Sequence, residues 1–178
     1  MPGSPHDSSP PTPPPTPVPN GVRDPGPLTA VDRRIVEVVR GNARTPNQEI
    51  AARAGVAAST CSTRLRDLER RGVITGYHAA VDLPALGASM QAMIAVRLHA
   101  GARGRLKEFT EQVKALPGVL SVFFLGGDED FLLHVAAADA ACLRDFVVDR
   151  LSARSDVAAT RTSIIFEHTR GLADPVTR

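Results

Sequence analysis

Between Val31 and Leu68 the apolar positions recur at helical spacing rather than strand spacing. Val31, Ile35, Val38 and Val39 form one stripe of an amphipathic helix. Thr29 is placed to cap it, Asp32 follows three residues on, and Gly41-Asn42 is placed to end it. A second helix is expected to start at Thr45, with Pro46 at its first position and Gln48 completing a capping box. Ile50, Ala51 and Ala54 form its buried face, and Gly55 breaks it. A third helix runs from about Ala58 to Arg71 and stops at Gly72. With Cys61 at zero, Leu65 and Leu68 fall at about 40° and about −20°, so these three point inward. Ser59, Thr63, Arg66 and Arg70 fall between about 140° and 200°, on the opposite face.

That outward face carries small hydroxyls at its N-terminal end and guanidinium groups further along. A helix that enters the DNA major groove needs this order: the small groups let its end in, and arginines reach guanine edges or phosphates. A solvated helix face also carries Ser and Arg with no such role, so the face alone leaves both readings open. After Gly72, the residues Val73, Ile74, Tyr77 and Val81 predict a strand with a bend at Thr75-Gly76. It would serve as a wing or as the link to the next domain, with Tyr77 and His78 either touching DNA or, the favoured reading, packing in the linker.

The pattern then changes period. Gln91–His99 alternates Ala92, Ile94, Val96 and Leu98 on one face. Leu106, Phe109, Val113 and Leu116 mark a helix ended by Pro117-Gly118, and Val119–Leu125 is a nearly continuous apolar run. Gly126–Glu129 is a tight turn before a strand over Phe131–Ala136. Asp139 opens a helix with Leu143, Phe146, Val147 and Leu151 inside, and residues 157–168 make a last strand. The order βαββαβ predicts a ferredoxin-like sandwich. The fold class is therefore α+β: an N-terminal helix-turn-helix, winged-helix-like, and a C-terminal ferredoxin-like domain for sensing and oligomerisation. Two helices cover only one face of a four-stranded sheet, yet Val119–Leu125 and Phe131–Leu133 point apolar groups both ways. The uncovered face is expected to meet a second copy of itself.

Charge separates the same two segments. Thr29–His78 holds nine Arg against five acids, a net of +4, whereas Ala79 to the end holds eleven Lys or Arg against twelve acids, a net of −1. Concentrated positive charge on the first segment is the footprint of a phosphate-binding module. The run MPGSPHDSSPPTPPPTPVPNGVRDPGP cannot form a core and predicts a disordered Pro-rich tail over 1–27. It lacks the pattern of a signal peptide, and no stretch is apolar enough to span a membrane, so a cytoplasmic chain is expected. The expected domains are 28–72 for DNA, 73–87 as strand linker, 88–170 for effector and assembly, and 171–178 as a C-terminal tail.

Candidate chemistry is sparse. Cys61 and Cys142 stand alone and read as buried small hydrophobes. Asp128, Glu129 and Asp130 form an acidic turn, but adjacent turn acids do not set a metal geometry. His78, His99, His134 and His168 are scattered; His134, beside Leu132, reads as an interface or core histidine. Gly101–Gly104 lacks the lysine and spacing of a phosphate loop. No catalytic set appears, so no cofactor is expected and a small enzyme on a ferredoxin-like domain is disfavoured.

LTAVDRRIVEVVRGNAR, then NQEIAARAGVAASTCSTRLRDLERRGVITGY, then GGDEDFLLHV resemble the leucine-responsive/asparagine-responsive (Lrp/AsnC) family of prokaryotic transcription regulators, over roughly residues 28–170. The resemblance implies dimers that assemble into octamers or similar discs. It also implies small-molecule effectors, usually amino acids, held at subunit interfaces near the glycine-aspartate turn. In that family Ser usually stands where this chain has Ala57, and Ser59 is then expected to cap the third helix from a later start. The family more often has an aromatic where Glu129 stands. DNA contacts are expected from Ser59, Thr60, Ser62, Thr63, Arg64, Arg66 and Arg70. Effector contacts are expected from Gly126, Gly127, Asp128, Glu129 and Asp130. There, glycines at positive φ would bring backbone N–H groups to a ligand carboxylate, and the acids would accept from its ammonium. The expected partners are double-stranded DNA and an amino-acid effector. The rival within the same fold is a nucleoid-organising protein with little ligand response.

Overall fold

The computed structural model describes residues 26–169. The tails expected over 1–27 and 171–178 therefore lie outside the described residues, apart from Gly26 and Pro27. The chain divides between Ala80 and Val81 into two compact units.

The first unit has three helices, α1 (Ala30–Gly41), α2 (Asn47–Ala54) and α3 (Ala58–Arg70). Thr29 and Asp32 close a reciprocal capping box on α1: the Thr29 N–H donates to Asp32 Oδ2 at 2.9 Å and the Asp32 N–H to Thr29 Oγ1 at 3.2 Å. Ile35, Ile50, Ala54, Cys61 and Leu68 form the buried centre, as the periodicity predicts, with Leu65 packed at its edge. Gly55 sits in the left-handed region at φ 73°, which ends α2 and turns the chain into α3.

Three local expectations are corrected. Thr45 does not cap α2. Its hydroxyl donates back to the Asn42 carbonyl at 2.8 Å, while the Pro46 carbonyl accepts from Glu49 and Ile50, so the helix begins after Pro46 and the Gln48 box does not form. Nor does Ser59 cap α3: that helix starts at Ala58, with Ala57 in the cap position and no side-chain bond. Residues 73–81 form no strand. The Val73 and Ile74 N–H groups both bond Leu68 O, closing α3, and this unit offers no strand among its described residues to complete a ladder.

The second unit holds β1 (Met90–Leu98), α4 (Leu106–Lys114), β2 (Val119–Phe124), β3 (Phe131–Ala137), α5 (Ala140–Asp145) and β4 (Val157–Ile165). α5 runs on as a π-helical segment over Phe146–Ser152. The sheet order is β2-β3-β1-β4 with every pairing antiparallel, the ferredoxin-like arrangement. The last strand ends at Ile165, three residues short of the expected end. Asp139 caps α5, accepting from the Cys142 N–H at 2.8 Å. Cys142 itself is exposed, contrary to the reading of both cysteines as buried.

Register separates the two sheet faces. Ile94, Leu133 and Val122 are cross-strand partners and join Phe109, Val113, Leu143 and Leu151 in the core. Phe123, Leu132, Ala95 and Arg161 are also partners, on the other face, and Phe123 is exposed there. The apolar run of β2 thus feeds both faces, and only one is covered by this unit's helices.

Candidate DNA interface and effector loop

α3 turns its predicted outward face to solvent. Ser59, Thr60, Thr63, Arg66 and Arg70 are exposed, while Ser62 and Arg64 are half-buried. The helix is anchored from behind by Cys61 and Leu68, both fully buried. Arg66 pairs with no acid among the described residues. Arg70 pairs with Asp67, which Arg71 also reaches at 3.2 Å. These two guanidinium groups hold the Asp67 carboxyl below the usual carboxylate range. Thr63, Arg64, Arg66, Asp67 and Arg70 border an open groove of about 510 Å³ along the face.

Arg64 is engaged elsewhere than expected. Its Nη1 lies 3.4 Å from Oδ1 of Asp32, which is 1% exposed. Burial pushes the Asp32 carboxyl up, but bonds from Thr29 and the charges of Arg64 and Arg71 outweigh it and hold the group below its ordinary value. One carboxylate therefore both caps α1 and ties α3 to it. Beyond α3, the Tyr77 hydroxyl donates to Glu69 at 2.7 Å. Partial burial, then that bond and the Glu69 charge, push the phenol up to about 12.

In the second unit the turn Gly126–Asp130 joins β2 to β3 and packs against the end of β1. Asp130, expected to accept from a ligand ammonium, does not present an open carboxylate. It is 8% exposed; its Oδ2 accepts from the Leu98 N–H at 2.8 Å and its Oδ1 lies 3.2 Å from Arg103 Nε. Its own N–H donates to Val96 O at 3.0 Å. Asp130 is a latch between the turn and β1. Of the two glycines only Gly127 takes positive φ, 146°, and a Cβ at either would meet no atom within 4 Å, so the backbone there is approachable.

The turn forms one wall of an open cleft of about 610 Å³ lined by Arg97, Arg103, Gly127, Asp128, Glu129 and Arg161. Glu129 bonds Arg161 at 3.3 Å across it. Sequence reasoning missed the three arginines. Arg97 follows the outward phase of β1, a signal that was available. Arg161 comes beside the turn only through the β1–β4 register, which no local pattern reveals. Arg103 comes from a 3-10 segment, Ala100–Arg105, where a helical or strand period is absent. His134 lies on the open sheet face, its Nε2 2.9 Å from Gln91 Oε1, and burial, then nearby His168, lower its pKa.

Residues 28–75 match the winged helix-turn-helix DNA-binding family, and residues 91–170 match the Lrp/AsnC ligand binding domain. The chain is 48% identical to the HTH-type transcriptional regulator AldR of Mycobacterium tuberculosis over 84% of its own length and 83% of the relative's. The crystal structure of MtbAldR superposes with a TM-score of 0.74 at 45% identity, covering 85% of this chain and 100% of that one. A transcriptional regulator from Neisseria meningitidis, solved in complex with L-Met, superposes with a TM-score of 0.74 at 29% identity, over 82% of this chain and 94% of that one.

Proposed function

The chain belongs to the Lrp/AsnC family of DNA-binding transcription regulators with a small-molecule response, not to the enzymes, and from that premise we propose how its surfaces divide the work. α3 reads DNA. Ser59, Thr60 and Thr63 enter the major groove, Arg66 contacts a base edge, and Arg70 contacts phosphate. Ser62 lies at the flank, and Arg64 positions the helix through Asp32. The observation that carries this reading is the exposed Arg66, which pairs with no acid among the described residues, on a helix anchored from behind by Cys61 and Leu68.

The effector is an amino acid, bound beside Gly126–Asp130. The open cleft and the approachable backbone at Gly127 support that class, as does the L-Met held by the Neisseria relative. The open sheet face, with Phe123, Leu132 and Ala95, pairs with a second copy, and dimers assemble further, to an octamer or similar disc. Residues 73–87 link a DNA-binding part, 28–72, to the effector and assembly part, 88–170. Among the described residues no helix is long and apolar enough to cross a membrane, and we place the protein in the cytoplasm with its DNA.

The test is DNA binding with and without a panel of the twenty amino acids, read together with oligomer size. A sequence preference that one or more amino acids shift supports the reading. Tight binding that none of them shifts favours a nucleoid-organising role, and a monomer under all conditions rejects the assembly.

A further inference from the structure

Resting on the reading that α3 reads DNA and that copies pair through the second unit, we infer that Tyr77 and Glu69 are positioning residues: their bond fixes where the linker leaves the DNA-binding part, and so sets the half-site spacing that a dimer accepts. The linker backbone is otherwise unfastened. The Val73 and Ile74 N–H groups close α3 on Leu68 O. The next backbone bonds along the chain belong to the turn at Pro84–Leu86, where the Leu86 and Ala88 N–H groups donate to Leu83 O. Between these two points, residues 75–82 make no backbone hydrogen bond among the described residues. One side-chain bond holds this stretch: the Tyr77 hydroxyl donates to Glu69 Oε1 at 2.7 Å. Both partners belong to the first unit, and Glu69 sits in the last turn of α3, three residues after Arg66 and one before Arg70.

A hydroxyl on a carboxylate is one of the stronger hydrogen bonds. Partial burial, that bond and the Glu69 charge keep the phenol protonated well above neutral pH, so the donor is present under working conditions. The Tyr77 ring is half exposed, which leaves the bond, more than packing, to hold it. The point at which a tether starts decides its reach. With Tyr77 fastened, residues 78–82 run free before Leu83; with it released, residues 75–82 do. Three further extended residues add at most about 10 Å to the travel of each α3. Released on both copies, that is about six base pairs at about 3.4 Å each. It covers a displacement of about 5 base pairs, half a helical turn, which a fastened linker resists.

The experiment uses the full-length protein. Wild type first selects its sequence from a pool of random duplexes. The half-sites so found are then moved apart in single base-pair steps, and each duplex is titrated beside one that holds a single half-site. Wild type should favour half-sites in phase over those displaced by about 5 base pairs by about tenfold or more. Tyr77→Phe, which keeps the ring, should shrink that preference by about threefold to tenfold. Its single half-site affinity, oligomer size and melting temperature should stay near wild type. Glu69→Gln keeps an acceptor and should retain most of the preference. Glu69→Ala should lose it as Tyr77→Phe does, with any gain in affinity from the lost negative charge shared by every spacing. An unchanged spacing profile in both Tyr77→Phe and Glu69→Ala overturns the inference and leaves the reading of α3 and the pairing of copies intact. An equal loss at every spacing overturns it too, because a bond that only stabilises the fold acts on all spacings alike. A dimeric wild type with no spacing preference also overturns it, while Arg66→Ala decides the role of α3 separately. A wild type that stays monomeric removes both the pairing and this inference.

Discussion

The two charged surfaces of this chain are built on opposite terms. On α3, Arg66 is exposed and pairs with no acid among the described residues, and Arg70 pairs with the half-buried Asp67. In the cleft of the second unit, Arg103 and Arg161 are each matched to an acid, and Asp130 is locked further by backbone N–H and C=O groups. The difference fits the partner proposed for each surface. A polyanion is bound by cations that release its counterions, so compensating acids would defeat the purpose. A small zwitterion is bound by opposite charges held in place, so the surrounding charges must be neutralised and rigid. The local net charges, +4 over 29–78 and −1 from 79 onward, carry the same contrast in the sequence.

The comparison can be broken most severely through the core behind the cleft. Phe131 is fully buried, adjoins the latch residue Asp130, and stacks 4.8 Å from Phe109. Phe131→Ala is expected to cost about 3–5 kcal/mol, measured by denaturant unfolding monitored in the second unit. The first unit's helices should melt as before; a matching loss there would show that the two surfaces do not rest on separate cores. Next in size is Asp130→Ala, expected to cost about 1–3 kcal/mol because the Leu98 N–H loses its acceptor and Arg103 its acid. Asp130→Asn should recover part, since its amide oxygen can still accept from Leu98. Loss of ligand binding with unchanged stability would instead make Asp130 a direct ligand contact.

On α3, Arg66→Ala should cost about 1–3 kcal/mol on the preferred operator and relax specificity at one position, seen by competition among single-base variants. Arg70→Ala should weaken all sequences alike and lower the salt slope by about 1. Intact operator preference in Arg66→Ala would remove it from base reading. The smallest effect concerns the edge of the first unit. The chain has one tyrosine, so phenolate absorbance reports Tyr77 alone, and its midpoint should lie near about 12 instead of 10.0. Glu69→Gln should move it down. Because the folded value is raised, any stability it lends is full below the ordinary tyrosine value and is lost as pH rises through it toward 12. A midpoint near 10.0 in the wild type would mean the Tyr77–Glu69 contact does not hold in solution.

Legibility followed the range of the interactions. The inward and outward faces of α3, the α1 capping box and the βαββαβ order were all readable, because each depends on residues a few positions apart. The α2 and α3 caps were misread within that range. Thr45 had two possible partners, and the Asn42 carbonyl won once Pro46, lacking an N–H, passed the helix start to its own carbonyl. The strand over 73–81 failed because extended propensity without a partner leaves a strand's backbone groups unpaired.

What the sequence determined by itself is the division into a basic helical part and a mixed α/β part, the face that α3 turns outward, and the position of the glycine-acid turn. Periodicity and local charge suffice for these, since both act over a turn or two of chain. Only the tertiary structure decided which charges remain available. Arg64 was tied to Asp32, 32 positions away, and Asp130 to Leu98 at the same separation. Arg161 of β4 was brought beside Glu129 in the turn before β3, with β1 lying between those two strands. A side chain's charge is written in the sequence, but whether it is spent or free depends on neighbours that only folding supplies.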